Sequence, residues 1–163
     1  NKILQLDQNS YIYPAYFYPH KNHLLLKEYE DIFAINKVKI YLTIDEGEYL
    51  ELFPNSTTII NLGKLRNIDI LMILKRIKGL INVSLNESFM LPIIEAMILK
   101  KQVITLKKDY SKFLLKGKGL YFFNKESLDI ALKKGKPITE INDYDFSNID
   151  CNYNQFINQF LNF

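Results

Sequence analysis

Glu87 and Glu95 are the residues whose type and spacing could do chemistry. Seven residues separate them, in the stretch NESFMLPIIEAM over residues 86–97. They bracket Leu91-Pro92, where a helix is predicted to begin directly after the apolar, strand-like run GLINVSL at 79–85. The amides of a helix's first turn have no partner inside the helix and carry the positive end of its dipole, so they suit a phosphate. Carboxylates repel phosphate but accept hydrogen bonds from sugar hydroxyls. The local physics therefore favours a ligand with a phosphate part and a polyol part. Taken singly, each glutamate has a plainer reading: Glu95 as a carboxylate complementing the helix dipole, Glu87 as a loop carboxylate. His20 and His23 are three apart with no third ligand in view, so no metal site is expected. Cys151 is the single cysteine, which excludes an internal disulfide and any multi-cysteine zinc site.

The elements that must position these groups follow from periodicity. Short apolar runs at 11–18, 38–44, 57–65, 79–85, 102–106 and 119–123 are apolar on both alternating faces, as suits strands of a parallel sheet covered on both sides. Helical spacing lies between them, over 20–36, 68–77, 92–100 and 125–135, and again in the tail at 153–163. This alternation predicts an α/β fold with a doubly wound, mostly parallel, Rossmann-like sheet. Ligands of such sheets bind beyond the carboxyl ends of the strands. Residues 1–9 are expected to be a lead-in or linker, and 10–163 one domain. Residues 45–56 are expected to form a long loop, and 136–151 an irregular stretch.

Composition narrows the classes further. The chain has 163 residues, 48% hydrophobic and 24% charged, enough for a real core and unlike a disordered chain. No run of about 18 apolar residues appears, and there is no secretory signal pattern, so a cytoplasmic setting is expected. The first residue is Asn1, and the chain is expected to be a piece of something longer. Net charge is +3, and all but two of the 21 basic residues are lysines scattered along the chain. That distribution argues against nucleic acid as a partner and is mildly favourable to anionic ligands or an anionic membrane surface.

The string ESFMLPIIEAM resembles the Glu-x7-Glu signature of retaining glycosyltransferases of the GT-B fold, most of all glycosyltransferase family 4 (group 1). The resemblance runs over about residues 10–135. YPAYFYPHKN (13–22) is similar to the first strand and Lys-Asn turn of that family's donor-binding domain, and NLGKLRNIDILMILKRIKGLINVSL to its later strands and helix. KKQVITLKKDY and GKGLYFFNKESLDIAL resemble the elements that follow. The resemblance implies the carboxy-terminal, nucleotide-sugar-binding domain of an enzyme that moves a hexose from a nucleoside diphosphate to an acceptor. The implied setting is cell-surface polysaccharide or glycolipid synthesis. It implies catalytic roles for Glu87 and Lys21, with Lys21 at the donor diphosphate and Glu87 at the sugar hydroxyls. It places Glu95 at the ribose and Ser88, Phe89, Met90 and Leu91 at the sugar and distal phosphate. Gly63, Lys64 and Leu65 would edge the base. It implies no metal and no cofactor beyond the donor. The partners it implies are a nucleotide sugar, a missing amino-terminal acceptor domain, and a membrane to which the full enzyme attaches peripherally.

Two residues depart from the family pattern. Ala15 stands where an arginine is often found, and Met90 where the signature usually has glycine. A single domain of the two is expected to hold donor without turning it over, and a decayed-site interaction domain is the other alternative. A Rossmann-type oxidoreductase would need a Gly-x-Gly-x-x-Gly turn after the first strand, and YPAYFYPHKN contains no glycine.

Overall fold

The structure, a computed structural model, describes residues 6–87 and 91–135. The expected irregular stretch 136–151, the tail helix 153–163 and Cys151 lie outside the described residues. So do Ser88, Phe89 and Met90.

Six strands form one sheet: β1 (Ser10–Tyr13), β2 (Lys39–Leu42), β3 (Ile59–Asn61), β4 (Gly79–Asn82), β5 (Gln102–Leu106) and β6 (Leu120–Phe122). Every pairing is parallel, in the order β3-β2-β1-β4-β5-β6. The fold is thus the expected α/β, doubly wound, Rossmann-like one, parallel throughout. The direction of winding reverses between β1 and β4, which opens a crevice at their carboxyl ends.

The period of two along each strand sorts its side chains into two cores. Tyr11 and Tyr13 of β1, with Ile40, Leu42, Ile81, Ile104 and Phe122, pack on one face against Leu26, Phe33 and Leu128. These last come from α1 (His23–Glu28), α2 (Glu30–Ile35) and α7 (Lys125–Lys134). Ile12, Tyr41, Leu80 and Val103 face the other way, onto Ile73, Leu74, Ile93, Met97 and Leu115. Those belong to α4 (Asn67–Arg76), α5 (Leu91–Ile98) and α6 (Asp109–Leu115). The described part of the lead-in is docked too: Leu6 packs on the second core and the Asp7 amide donates to the Tyr41 hydroxyl at 2.9 Å. Gly79 is required where β4 starts, because a Cβ there would stand 2.1 Å from the Gln102 carbonyl oxygen.

Four expectations about elements are corrected. The 45–56 loop contains α3 (Glu46–Leu52). Its start is a capping box, with the Glu48 carboxylate accepting from the Asp45 amide at 3.1 Å. The helical stretch 20–36 breaks at Tyr29 into α1 and α2. The first strand stops at Tyr13 rather than Tyr18, because Pro14 has no N–H to offer a ladder. Helix α6, missing from the sequence expectation, starts where Ser111 Oγ accepts from the Lys108 amide at 3.1 Å and donates to the Leu106 carbonyl at 2.9 Å.

Candidate functional site

Lys21 and Glu87 meet at the mouth of the β1–β4 crevice. Lys21 Nζ lies 2.7 Å from both carboxylate oxygens of Glu87, and the side chains are 18% and 12% exposed. Residues 66 apart in sequence are thus held together, and the local chemistry shows how. Pro19 starts a single 3₁₀ turn, Pro19–Lys21, and Asn22 leaves it in the left-handed region with φ 56°. The Tyr13 hydroxyl donates to the Lys21 carbonyl at 2.7 Å and meets Ser84 Oγ at 2.7 Å. The Leu85 amide donates to the His20 carbonyl at 2.8 Å, and Asn22 Nδ2 to the Val83 carbonyl at 3.2 Å. The turn bearing Lys21 is therefore stitched to the segment that leads from β4 to Glu87.

A second layer lies beneath. The Tyr110 hydroxyl donates to the Ser84 carbonyl and accepts from Asn82 Nδ2 at 3.1 Å, which ties α6 to the end of β4. Burial raises the Tyr110 phenol to about 12 and pushes Tyr13 far above the ordinary phenol range, so both stay protonated donors. His23 is buried between the rings of Tyr13 and Phe17, at 5.1 and 5.3 Å, and neither ring nitrogen is hydrogen-bonded. Burial lowers its pKa to about 4, so it is neutral at pH 7. His20 is exposed and stacks on Tyr18. Among the described residues, no cluster of histidine, cysteine and acidic side chains could hold a metal ion.

Two adjoining cavities open on this edge. The first, about 60 Å³, is lined by Tyr13, Ala15, Lys21, Asn82, Glu87 and Pro92, among others. The second, about 130 Å³, includes Ala15, Tyr16, Thr43, Lys64, Leu65 and Ile70. Pro14 and Ala15 belong to both, so the backbone after β1 is the ridge between them. Among the described residues, Lys21 is the one cation lining the first cavity. Helix α5 begins at its edge, with Leu91 and Ile93 carrying first-turn amides and Pro92 carrying none.

The structure treats the remaining expected residues differently. Lys64 and Leu65 line the second cavity, but the Lys64 ammonium pairs at 2.6 Å with Asp45, well exposed, and that hydrogen bond raises its pKa. Gly63 sits at φ 77°, a turn conformation that glycine adopts freely, and its amide donates to Asn61 Oδ1 at 3.2 Å. Glu95 is buried, 1% exposed, and accepts from Asn67 Nδ2 at 2.9 Å. It lines neither cavity. Only Glu87 of the expected pair faces a cavity; Glu95 lies behind the start of α4.

Sequence reasoning missed Asn82, Thr43, Tyr110 and Asn67. A signal was present for Asn82: a polar residue at the carboxyl end of an otherwise apolar strand, buried in the structure. Asn61 at the end of β3 repeats the pattern. Tyr110 and Asn67 carried no such mark.

No protein-family model and no curated protein matches the sequence. Solved structures do match in fold. A TarM variant from S. aureus, in complex with fondaparinux, α-GlcNAc-glycerol and UDP, aligns with a TM-score of 0.64 at 18% identity, covering 78% of this chain and 28% of TarM. AviGT4, a glycosyltransferase involved in avilamycin A biosynthesis, aligns at 0.64 and 13% identity over 95% of this chain and 52% of its own. The catalytic domain of the cholesterol-α-glucosyltransferase from Helicobacter pylori aligns at 0.61 and 14% identity, covering 79% of this chain and 85% of that one. The fold is that of GT-B glycosyltransferase domains, and the chain spans about a quarter of TarM and half of AviGT4.

Proposed function

We propose that this chain is the carboxy-terminal, donor-binding domain of a retaining glycosyltransferase of family 4 type, and that it binds a nucleoside diphosphate sugar across its two cavities. The observation that carries the reading is Lys21. It is the one cation lining the first cavity among the described residues, held on a stitched turn opposite the start of α5. Support for the class of ligand comes from the fold shared with glycosyltransferase domains, one of them in complex with UDP.

In this reading the base lies in the second cavity against Leu65, Ile70 and the Lys64 backbone. The diphosphate crosses the Pro14–Ala15 ridge to Lys21 and the amides of Leu91 and Ile93. Lys21 neutralises the leaving diphosphate as its charge develops, which is electrostatic stabilisation and needs no proton transfer from the lysine. Glu87 accepts hydrogen bonds from hydroxyls of the transferred hexose, and contacts to that sugar and the distal phosphate are proposed for Ser88, Phe89, Met90 and Leu91. Glu95 accepts from the ribose hydroxyls once Asn67 turns away. Asn67 lies between Leu65 and Ile70 in sequence, and both of those line the second cavity. No metal and no further cofactor has a role in this scheme.

The acceptor site is proposed to lie in an amino-terminal half, on a longer protein associated peripherally with the cytoplasmic face of a membrane and working in cell-surface polysaccharide or glycolipid assembly. The alternative is a donor-binding module that turns nothing over alone. Calorimetry with UDP, GDP, ADP and TDP, their glucose conjugates and the free nucleosides tests the reading. One diphosphate should bind measurably, and Lys21→Ala should weaken it by about 1.5–3 kcal/mol, the scale of a hydrogen bond to a charged group, while leaving the free nucleoside unchanged. Equal losses for both ligands, or no binding to any of them, would refute the assignment.

A further inference from the structure

We infer that Glu87 sets the preference of the site for a sugar-bearing nucleoside diphosphate over the bare diphosphate, by competing with phosphate for Lys21. The inference rests on the donor-binding reading above and assigns Glu87 a task beyond touching the sugar. Both oxygens of Glu87 lie 2.7 Å from Lys21 Nζ. At 18% and 12% exposure the pair is largely shielded from solvent, so screening by salt is weak.

A phosphate entering the first cavity needs that same ammonium. Ala15 on the ridge offers no charge, and the other described lining residues add no cation. The Lys21 backbone cannot retreat, because the Tyr13 hydroxyl holds its carbonyl and the Leu85 amide holds that of His20. The ammonium has three donors, two of them turned to Glu87, so a phosphate that takes more than the third makes the carboxylate give up one or both of its contacts. Once displaced, Glu87 stands beside phosphate oxygens with its charge uncompensated, and like charges at that range repel.

The two ligands differ in what they return. A donor carries hexose hydroxyls beyond its distal phosphate, and these donate hydrogen bonds to the freed carboxylate. A bare nucleoside diphosphate ends in a phosphate with one more ionisable oxygen and no hydroxyl to give. Glu87 thus tolerates the donor and opposes the diphosphate left after transfer, which speeds its departure.

The test is calorimetric, on the full 163-residue chain. The titrants are inorganic pyrophosphate, the tightest-binding of UDP, GDP, ADP and TDP, and the glucose conjugate of that diphosphate. Glu87→Gln keeps the side chain's shape and removes its charge. It should bind pyrophosphate and the bare diphosphate about five- to tenfold more tightly, the worth of roughly 1–1.4 kcal/mol, and lose the preference for the conjugate. In a Lys21→Ala background the same substitution should give a clearly smaller gain, because only the direct repulsion between Glu87 and phosphate is left once there is no ammonium to compete for. Should Glu87→Gln fail to fold by circular dichroism, Glu87→Asp draws the carboxylate back by one methylene and should shift the affinities in the same direction by less. A wild-type chain that binds, with no gain in either variant, overturns the competition and leaves the donor reading standing. A gain that is undiminished without Lys21 overturns it as well. Absence of binding in wild type and variants alike removes the donor reading and this inference with it.

Discussion

Glu87 and Glu95 are the same residue type with seven residues between them, and the fold gives them opposite surroundings. Glu87 sits at a cavity mouth, paired with a flexible ammonium at 2.7 Å and 12% exposed. Glu95 is inside, 1% exposed, on a helix whose neighbours Ile93, Ile94, Ala96 and Met97 are all buried, and it accepts from the amide of Asn67. A carboxylate at the mouth can exchange partners at small cost. One in the interior gives up Asn67 only to another donor that arrives in its place, because burial makes an unmet carboxyl costly. The pair is thus one contact at a cavity mouth and one, between α5 and α4, that a ligand reaches only by displacing Asn67.

The largest effect that would sharpen this contrast is on stability. Glu95→Ala removes a buried acceptor, leaves the Asn67 amide short of a partner and opens a void, so urea denaturation should show a loss of about 3–4 kcal/mol. Glu87→Ala should cost less, about 1–2 kcal/mol in the same measurement, because it leaves the largely shielded Lys21 ammonium without this partner but opens no interior void. Equal costs would erase the distinction.

Next comes the layer under Lys21. The neutral form of His23 is favoured by the fold, with a pKa lowered by burial from 6.5 to about 4. The unfolded chain takes up the proton first as pH falls. Stability from this group is therefore full above about pH 6.5 and is lost as pH drops towards 4, by about 3 kcal/mol in all. His23→Phe should flatten that part of the pH profile of the urea midpoint relative to wild type, since other acidic groups titrate equally in both. A wild-type slope retained by the variant would show that another group is responsible.

Tyr13→Phe removes the hydroxyl that bridges the Lys21 carbonyl and Ser84. It should cost about 1 kcal/mol of stability and weaken diphosphate binding more than nucleoside binding, because the Lys21 turn loses its anchor. The smallest effect is expected at the far side of the second cavity. The Lys64–Asp45 pair is solvent-exposed, so Lys64→Ala should leave the denaturation midpoint unchanged and, since only its backbone edges the cavity, leave nucleoside affinity unchanged as well.

Much of the fold was legible before any coordinates. The apolar runs at 38–44, 79–85 and 102–106 each contain a strand, because β-branched and large apolar side chains on both faces need a sheet covered on both sides. Helix α3 was equally present in the sequence, as Asp45 followed three residues later by Glu48, a capping pair that marks a helix start. Helix α6 was less visible. Its first turn is fastened by Ser111 to the carbonyl of Leu106, and its Tyr110 reaches a partner 26 residues away in Ser84. Within the site, the type and spacing of Glu87, Lys21 and Glu95 pointed to one region. The burial of Glu95 did not follow from spacing, since it depends on α4 lying across α5.

The sequence by itself determined the alternation of strands and helices, the parallel sheet and the crevice where its winding reverses. Periodicity and the covering of both faces are local consequences of side-chain type. Only the tertiary structure decided which partner each of the two glutamates meets. Lys21 comes to Glu87 because Tyr13, Ser84 and the His20 carbonyl tie two distant turns together, and Glu95 is sealed because Asn67 closes over it. Hydrogen bonds between segments tens of residues apart carry no periodic trace in the chain, yet they set the electrostatics on which the proposed chemistry depends.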